Sequence, residues 1–578
     1  MISRTLARLR PAWTFSRPHP ALWLALLVPV FAWAQLTYPG YFEFESGFLP
    51  IFNLNDAMRH LGDPTWAPAI GQPYDLLRGE GALAYRLAAL LCLAGAPSVT
   101  AVKWLFGTSM LVGALGMYGW TRRRLGSWPA LLAAVVYAFS PIVLAAVTVR
   151  GAFAEAALLG LMPWVLWAAD AAVDPGRKRS GIALAMALAA TFWTQTGLAL
   201  WLAALVLAYI VVLSHRSGGK PRKRASVTGL VGWSGGVLLG GLGLLPLILG
   251  RGIGGGIPIV FADHFVYPYQ LLLAGWGMGP SIPGPYDTLT FDLGVVAFGL
   301  AALSMLPLAD RTAESPGSYR PSNANSRLAI RRAQYVAAAL LLPVVFLSTT
   351  MAAGAWRLLP GLARSLSYPW QLLLLGTPWL AWLAGSGGCA LAEFCSRKLT
   401  STSGSDRTDQ TQRGGPGGEL KALSLFGGLI ALVVLNSYAY LNPPTIASPV
   451  SGLPVAIFGD NEIALLDAEV SGMPGPGGRS VVSARWQALR PLDNDYTIFV
   501  HALTPDGTRG AQADTMPQGG ELPTSQWRPG QVVADRYTLT FKPDAPATQE
   551  YRYMLGLYLW QTGQRLSAGT DDKVVLAP

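Results

Sequence analysis

Apolar runs of about 20 residues, the length of helix that crosses a hydrocarbon core, recur along the first three quarters of this chain. No other feature narrows the choice of fold so far. In a bilayer each backbone N–H and C=O needs a partner within its own segment, so such runs become spanning helices. Only 13% of the 578 residues are charged and 52% are apolar, whereas an average soluble domain is about 25% charged. The chain therefore reads as a polytopic α-helical membrane protein.

The first run, ALWLALLVPVFAWAQLTY, follows a basic N-terminus, residues 1–20. Its Ala-Trp-Ala before Gln35 imitates a signal-peptidase site; the span is read as retained, with cleavage as the alternative. Further spans fall near 99–120, 128–148, 151–170, 180–197, 198–214, 227–249, 291–308, 333–352, 369–388 and 421–440, about 11 in all within a membrane domain over 21–440. Residues 81–97 are apolar but short, contain Arg86 and end in Gly-Ala-Pro. They read as an interfacial or re-entrant helix.

The charge pattern orients this arrangement. The proposed inner segments carry 25 Lys and Arg, including TRRRLG and HRSGGKPRKR, against 8 flanking the proposed outer ends. That is the positive-inside bias, with the N-terminus in the cytoplasm and the C-terminus outside the plasma membrane. Counting 81–97 as a span would invert every later loop. Because the +11 net charge is spread by loop, it marks membrane orientation and no nucleic-acid partner. Membrane lipids are the expected surroundings; the oligomeric state is open.

Residues 401–419, rich in Ser, Thr and Gly, read as a disordered cytoplasmic linker. From 445 to 578 the texture changes to β-rich segments such as YTIFVHAL and YRYMLGLYLW, separated by Pro, Gly and Asp turns. This predicts an extracytoplasmic all-β sandwich.

Two ionisable residues stand at the start of an apolar run, Arg150 and Glu155 in VRGAFAEAALLGLMPWVLW. Intramembrane charges mark sites or fix helix ends. On one continuous helix Glu155 would lie about 7 Å deeper than Arg150. Five residues apart is not one helix face, so pairing would require both side chains to bend. Either the two pair structurally, or Arg150 receives an anionic head group.

The first outer loop, within 38–98, is the richest polar segment. It holds Glu43, Glu45, Asp56, Asp63, Asp75 and Glu80, with Arg59, His60 and Arg78, among the aromatics Tyr38, Tyr41, Phe42, Phe44, Trp66 and Tyr74. A partly desolvated carboxylate there suits general-base work, and aromatic faces suit sugar rings; belt aromatics among solvated acids are the structural alternative. Other signals are weak. GRGIGGGIP (250–258) lacks a preceding strand, so it is a loop and no dinucleotide fingerprint. In FADHFVYPYQLLLAGWGMGP, Asp263 and His264 sit on a second interfacial helix or in a belt. GxSxG, HExxH and P-loop motifs do not occur. Cys92, Cys389 and Cys395 form no CxxC and no metal set with the five histidines, leaving Mg²⁺ on scattered carboxylates as the one metal to consider.

Three stretches resemble a known family. VRGAFAEAALLGLMPWVLW is similar to a family segment of the form RG-x-x-x-E followed by an apolar run with Pro, WAPAIGQP to a first-loop segment, and SYPWQLLLL to an FPWR element. The family is that of bacterial integral membrane proteins with a 6-pyruvoyl-tetrahydropterin synthase-related domain, resembling C-type (GT-C) glycosyltransferases, and the likeness covers roughly residues 20–440. It implies a GT-C-like fold, a polyprenyl-phosphate sugar donor and an acid in the first outer loop. Glu45 takes that acid's place, with Glu43 and Asp56 as the other candidates. Arg150, Glu155, Arg78, Trp66, Tyr74 and Trp370 would line the substrate site. Leu49 or Pro50 stands where relatives carry His, and Gln371 where they carry Arg. The pattern Trp527-x-x-Gly530 with Asp535 and Tyr537 is similar to β-domains appended to such proteins.

The function expected is sugar transfer from a polyprenyl-phosphate donor to a cell-envelope acceptor. The alternatives are a non-catalytic anchor displaying a glycan- or protein-binding β-domain, and a transporter of lipid-linked material. The last is disfavoured by the absence of a visible repeat and by few polar residues at mid-membrane, mainly Gln195 and Glu155.

Overall fold

The computed structural model describes residues 23–24, 27–28, 41–42, 46–63, 66–68, 80–174, 179–214, 223–242, 261–273, 275, 277–306, 324–358, 360–402, 416–441, 445–446, 454–528, 530–547, 550–569 and 571–576. In chain order the larger helices are α1 (Leu49–Arg59), α2 (Leu83–Leu93), α3 (Ser98–Leu125), α4 (Ser127–Ala138), α5 (Pro141–Leu144), α6 (Phe153–Ala172), α7 (Arg179–Phe192), α8 (Thr196–Ser214), α9 (Lys223–Gly241), α10 (Val295–Met305), α11 (Ala324–Ser348), α12 (Ala353–Trp356), α13 (Pro360–Ala363), α14 (Leu372–Thr402) and α15 (Pro416–Asn436).

Among the described residues five helical stretches are long and apolar enough to cross a membrane: Ser98–Leu125, Phe153–Ala172, Thr196–Ser214, Ile330–Ser348 and Pro369–Cys395. A sixth is broken, Ser127–Ala138 with Pro141–Val149 bent by 48°. Pro141 causes the break, because it follows Phe139 and Ser140 where the ladder of α4 runs out and proline cannot continue it. The expected count of about 11 is not reached. Arg179–Phe192, Val227–Gly241, Val295–Met305 and Ser424–Asn436 are apolar but shorter, and most of the first expected span lies outside the described residues. Helix α2 has 11 residues, about 16 Å at 1.5 Å per residue, half of what a crossing needs. Helix also enters the expected linker from both sides, to Thr402 and from Pro416; 403–415 lie outside the described residues.

Small residues set the spacing inside the bundle. Helices α3 and α6 approach so closely at Gly113 and Gly160 that a Cβ on either would stand 3.0 Å from a backbone oxygen of the other helix. Nearly every residue of α4 and α6 is buried, which explains why their sequences are apolar on all faces.

The C-terminal strands are β3 (Ala456–Phe458), β4 (Ile463–Met473), β5 (Arg479–Ala488), β6 (Tyr496–Leu503), β7 (Arg509–Thr515), β8 (Val532–Thr540), β9 (Arg552–Leu559) and β10 (Val574–Leu576). They form two antiparallel sheets, ordered β3-β4-β5-β8 and β10-β9-β6-β7. Alternate residues of both, Val482, Trp486, Ile498, Val500, Leu555 and Leu557 among them, meet in one core, as period-two alternation dictates. Trp527 and Tyr537 of the quoted pattern are core residues; Trp486 donates to the Tyr537 hydroxyl at 2.9 Å. Their pattern is a packing signature.

The first loop and the sandwich are joined. Strand β1 (Tyr41–Phe42) pairs with β2 (Thr445–Ile446), and Ala464 and Leu489 of the sandwich share an apolar cluster with Tyr41, Phe48, Phe52 and Leu54. Gly47 sits at the contact with φ +54°, and a Cβ there would stand 1.9 Å from the Leu489 carbonyl oxygen.

Candidate functional site

Arg150 and Glu155 do not share one helix. The chain after α5 widens into a π turn, Ala145–Val149, in which the Arg150 N–H reaches back to Ala145 O at 2.9 Å. Gly151 then takes φ +61°, a left-handed conformation that glycine alone adopts without cost, and α6 starts afresh at Phe153. The expectation of a continuous helix from Arg150 is thus corrected. The break turns the arginine toward the first turn of α6, and Arg150 Nη1 donates to Glu155 Oε2 at 2.5 Å. Glu155 also gains from the amide dipoles at that helix start. π turns are often found at functional positions.

The other oxygen of Glu155 accepts from Gln371 Nε2 at 2.6 Å. Gln371 Oε1 in turn accepts the backbone N–H groups of Ser367 and Tyr368, at 2.9 and 3.1 Å. The amide at this position is therefore built in at both ends. The Arg150 guanidinium lies 4.7 Å from the Trp370 ring centre and 5.8 Å from that of Tyr368, a cation–π arrangement strengthened by burial. Tyr368 and Trp370 stack with centres 5.0 Å apart.

Two further segments close on this core. Trp370 Nε1 donates to Ser281 Oγ at 3.2 Å, and Ser281 donates to Asp287 Oδ2 at 2.7 Å. His264 Nδ1 stands 3.0 Å from the same Oγ. Because the serine hydrogen is spent on Asp287, the His264 Nδ1 is the donor of this contact. Burial pulls the His264 pKa down, with Asp263 opposing it.

From the first loop comes Glu80, half-buried, in a backbone bridge with Gln195. Tyr85 donates to Glu80 Oε2 at 2.9 Å, and Asn53 Nδ2 to the Tyr85 hydroxyl at 3.4 Å. Burial lifts the Glu80 carboxyl to about 7; the charge of Glu155 adds to this, while the Tyr85 hydrogen bond and Arg150 oppose it. Glu80 thus lies within electrostatic reach of the Arg150–Glu155 pair. A carboxyl that titrates near neutrality can take up and return a proton under working conditions.

Of the residues singled out in the sequence, Arg150, Glu155 and Trp370 come together. Asp56 and Trp66 pair with each other, Trp66 Nε1 donating to Asp56 Oδ2 at 2.8 Å. The Trp66 ring meets Tyr85 edge-on at 6.0 Å, which links the pair to Glu80. Glu43, Glu45, Tyr74 and Arg78 lie outside the described residues. Sequence reasoning passed over Glu80 as one acid of six, and did not single out Tyr85, Asn53, Ser281 or Asp287. For Glu80 the available signal was Gln195, the polar residue mid-way along an apolar stretch that the glutamate's strand bridges.

Glu43, Glu45 and Asp75, among the carboxylates considered for Mg²⁺, lie outside the described residues. Among the described residues no three His, Cys, Asp or Glu side chains converge, and the Glu155 oxygens are taken by Arg150 and Gln371.

Residues 81–364 match the model of the family described as 6-pyruvoyl-tetrahydropterin synthase related domain, membrane protein. That is the family the sequence resembles, and the match includes the Arg150–Glu155 segment. No curated protein matches the chain. Among solved structures, the oligosaccharyltransferase of Archaeoglobus fulgidus tethered with an acceptor peptide aligns over 74% of this chain and 56% of its own, at 12% identity and TM-score 0.43. ArnT from Cupriavidus metallidurans bound to undecaprenyl phosphate aligns over 73% and 75%, at 13% identity and TM-score 0.39. Arabinofuranosyltransferase AftD from Mycobacteria aligns over 73% and 28%, at 19% identity and TM-score 0.38. The chain spans little more than half of the archaeal enzyme, and at these scores the likeness is loose.

Proposed function

We propose that this protein is a membrane glycosyltransferase that moves a sugar from a polyprenyl-phosphate donor to a cell-envelope acceptor at the outer face of a bacterial plasma membrane. In this reading the N-terminus is cytoplasmic and the β-sandwich stands outside. The observation that carries it is the Arg150–Glu155 pair, a half-buried guanidinium backed by the Trp370 ring, with the Glu80 carboxyl lifted to about 7 within its electrostatic reach. Transfer from a phosphate-linked sugar needs those two capacities, one group to accept the acceptor's hydroxyl proton and one to meet the charge that grows on the leaving phosphate.

Glu80 is the proposed proton acceptor. The acceptor oxygen attacks the anomeric carbon as the bond to the phosphate oxygen breaks, and the hydroxyl proton passes to the Glu80 carboxylate. Arg150, held in place by Glu155 and Gln371, faces the departing phosphate. Glu45, Glu43 and Asp56 are the other carboxyls proposed for the first loop's part in the reaction. Arg78, Tyr74, Trp66 and Trp370 are proposed to line the sugar and phosphate path.

The test is transfer by the purified protein in bilayers, offered a panel of polyprenyl-phosphate sugars, for wild type, Glu80→Gln and Glu45→Gln. Turnover lost in Glu80→Gln and kept in Glu45→Gln supports the assignment, and the reverse moves the base to Glu45. Absence of turnover with every donor, from a well-folded protein, selects the non-catalytic anchor displaying its β-domain.

A further inference from the structure

Around the candidate site the chain exposes large apolar side chains that neither the packing nor the proton chemistry uses. Segment 264–293 is well fixed. Val266 exchanges hydrogen bonds with the end of α11, at 3.0 Å to Ser348 O and 3.0 Å from Thr350 N. The Tyr269 hydroxyl donates to Pro285 O at 2.6 Å, and Met278 bridges Leu289. Yet Leu273 is 63% and Tyr286 86% exposed, and Leu272 is exposed as well. Segment 350–364 behaves alike. Trp356 anchors it inward, donating to Leu347 O at 2.8 Å and packing on Phe261 at 4.9 Å. Met351, at 70%, and Leu358, at 82%, point away from the protein.

Fixed loops that show large apolar side chains to water are an aggregation hazard, so such side chains mark a contact. The helix they adjoin says with what. The exposed side of α11, with Leu342 and Phe346, belongs to a stretch apolar and long enough to cross a membrane, and Met351 begins one turn beyond its end. Composition agrees. Residues 350–364 contain two arginines and no acid, and apolar anchors mixed with Tyr and Arg are what the interfacial layer of a bilayer accepts.

We infer that segments 268–286 and 350–364 are inserted into the leaflet beside the candidate site without crossing it. Their exposed apolar side chains lie among the acyl chains, and Arg357 and Arg364 lie at the level of the lipid phosphates. The first insert touches the site, and the second ends close before it in the chain. Ser281 accepts from Trp370, and Ser365 accepts from Trp201 at 2.9 Å, three residues before Tyr368. On this side the Arg150 cluster is walled by lipid-embedded chain, so a ligand arriving there is an amphiphile moving within the leaflet. The insertion stands whether or not sugar is transferred.

The test uses the wild-type chain in nanodiscs of equal parts phosphatidylcholine and phosphatidylglycerol. One sample is exposed to hydroxyl radicals, and a second is photolysed with a phospholipid carrying a diazirine on its acyl chain. Met473 on the sandwich, 81% exposed, is the internal standard. The expected result is oxidation of Met351 and Tyr286 slower by ~10-fold or more than their exposure relative to Met473 would give, with lipid adducts on peptides spanning 269–273 and 351–362. Fast oxidation without adducts would overturn the inference. So would protection without adducts, which means that a second copy or another protein covers the surface.

Discussion

The membrane domain has two arginine–carboxylate networks, one at each end of α3 and α6, built on opposite plans. At the far end Arg123 pairs with Asp174 and, at 3.2 Å, with Asp170, while Arg124 pairs with Asp170. The Tyr209 hydroxyl completes Asp170 at 3.1 Å. Two cations meet two anions, and the set is balanced. At the loop end one guanidinium pairs with Glu155, an amide takes that acid's other oxygen, and a second acid, Glu80, is lifted toward neutrality. A balanced buried network costs much to break and offers little to a ligand. A carboxyl held near neutrality beside an ion pair can change its charge under working conditions, which is what a site of chemistry requires.

This contrast can be broken experimentally. The largest effect expected is on turnover, where Glu80→Gln lowers sugar transfer by ~10²–10⁴-fold while the melting temperature stays level or rises; equal transfer by wild type and variant removes Glu80 from the reaction. Next, Asp170→Asn takes from Arg124 its paired carboxylate and leaves Arg123 with Asp174, and costs about 3–5 kcal/mol of stability, read as a drop in melting temperature in detergent, with turnover per folded molecule unchanged. If turnover fell in proportion, the far network would be part of the site. Gly151→Ala puts a Cβ at φ +61° and costs about 1–2 kcal/mol; it also turns Arg150 from Glu155, so it lowers transfer more than a comparable change at Gly160.

The pH response sharpens the same contrast. The folded state keeps Glu80 protonated up to about pH 7, whereas the unfolded chain releases that proton near its ordinary value of about 4.3. The Glu80 contribution therefore makes stability fall as pH rises through that window and level off above it, while transfer rises through it. Melting curves of wild type and Glu80→Gln between those pH values measure the difference, and parallel curves would refute the shift. The smallest effect is that of Trp370→Phe, which loses the bond to Ser281 and weakens the contact with Arg150, about 1 kcal/mol in all. It should appear mainly in KM.

The membrane class was legible because a bilayer leaves a chain few options, and apolar runs are written linearly in the sequence. Arg150 and Glu155 stood out for the same reason. Their pairing was one of two readings, but its geometry was not legible, since it depends on a π turn and on the sign of one φ at Gly151, which spacing rules for a regular helix do not contain. Glu80 was visible only as an acid among acids. What selects it is burial against the Gln195 bridge and a hydroxyl from Tyr85, contacts made by segments more than a hundred residues apart or by the fold around them. Trp527 and Tyr537 show the reverse case, a conspicuous spacing whose residues serve the sandwich core. Gln371, read as a departure from an expected arginine, carries a hydrogen-bond role of its own.

The pairing of β1 with β2 also has a meaning in time. Tyr41–Phe42 precedes nearly all of the membrane domain and Thr445–Ile446 follows it, so the first loop waits for its partner until some four hundred residues have been made and inserted. Only then can Leu489 settle on Gly47. The loop that carries the acids is finished last, by the arrival of the sandwich on the same side of the membrane, and a chain stopped before residue 445 would insert its helices and still lack a completed site.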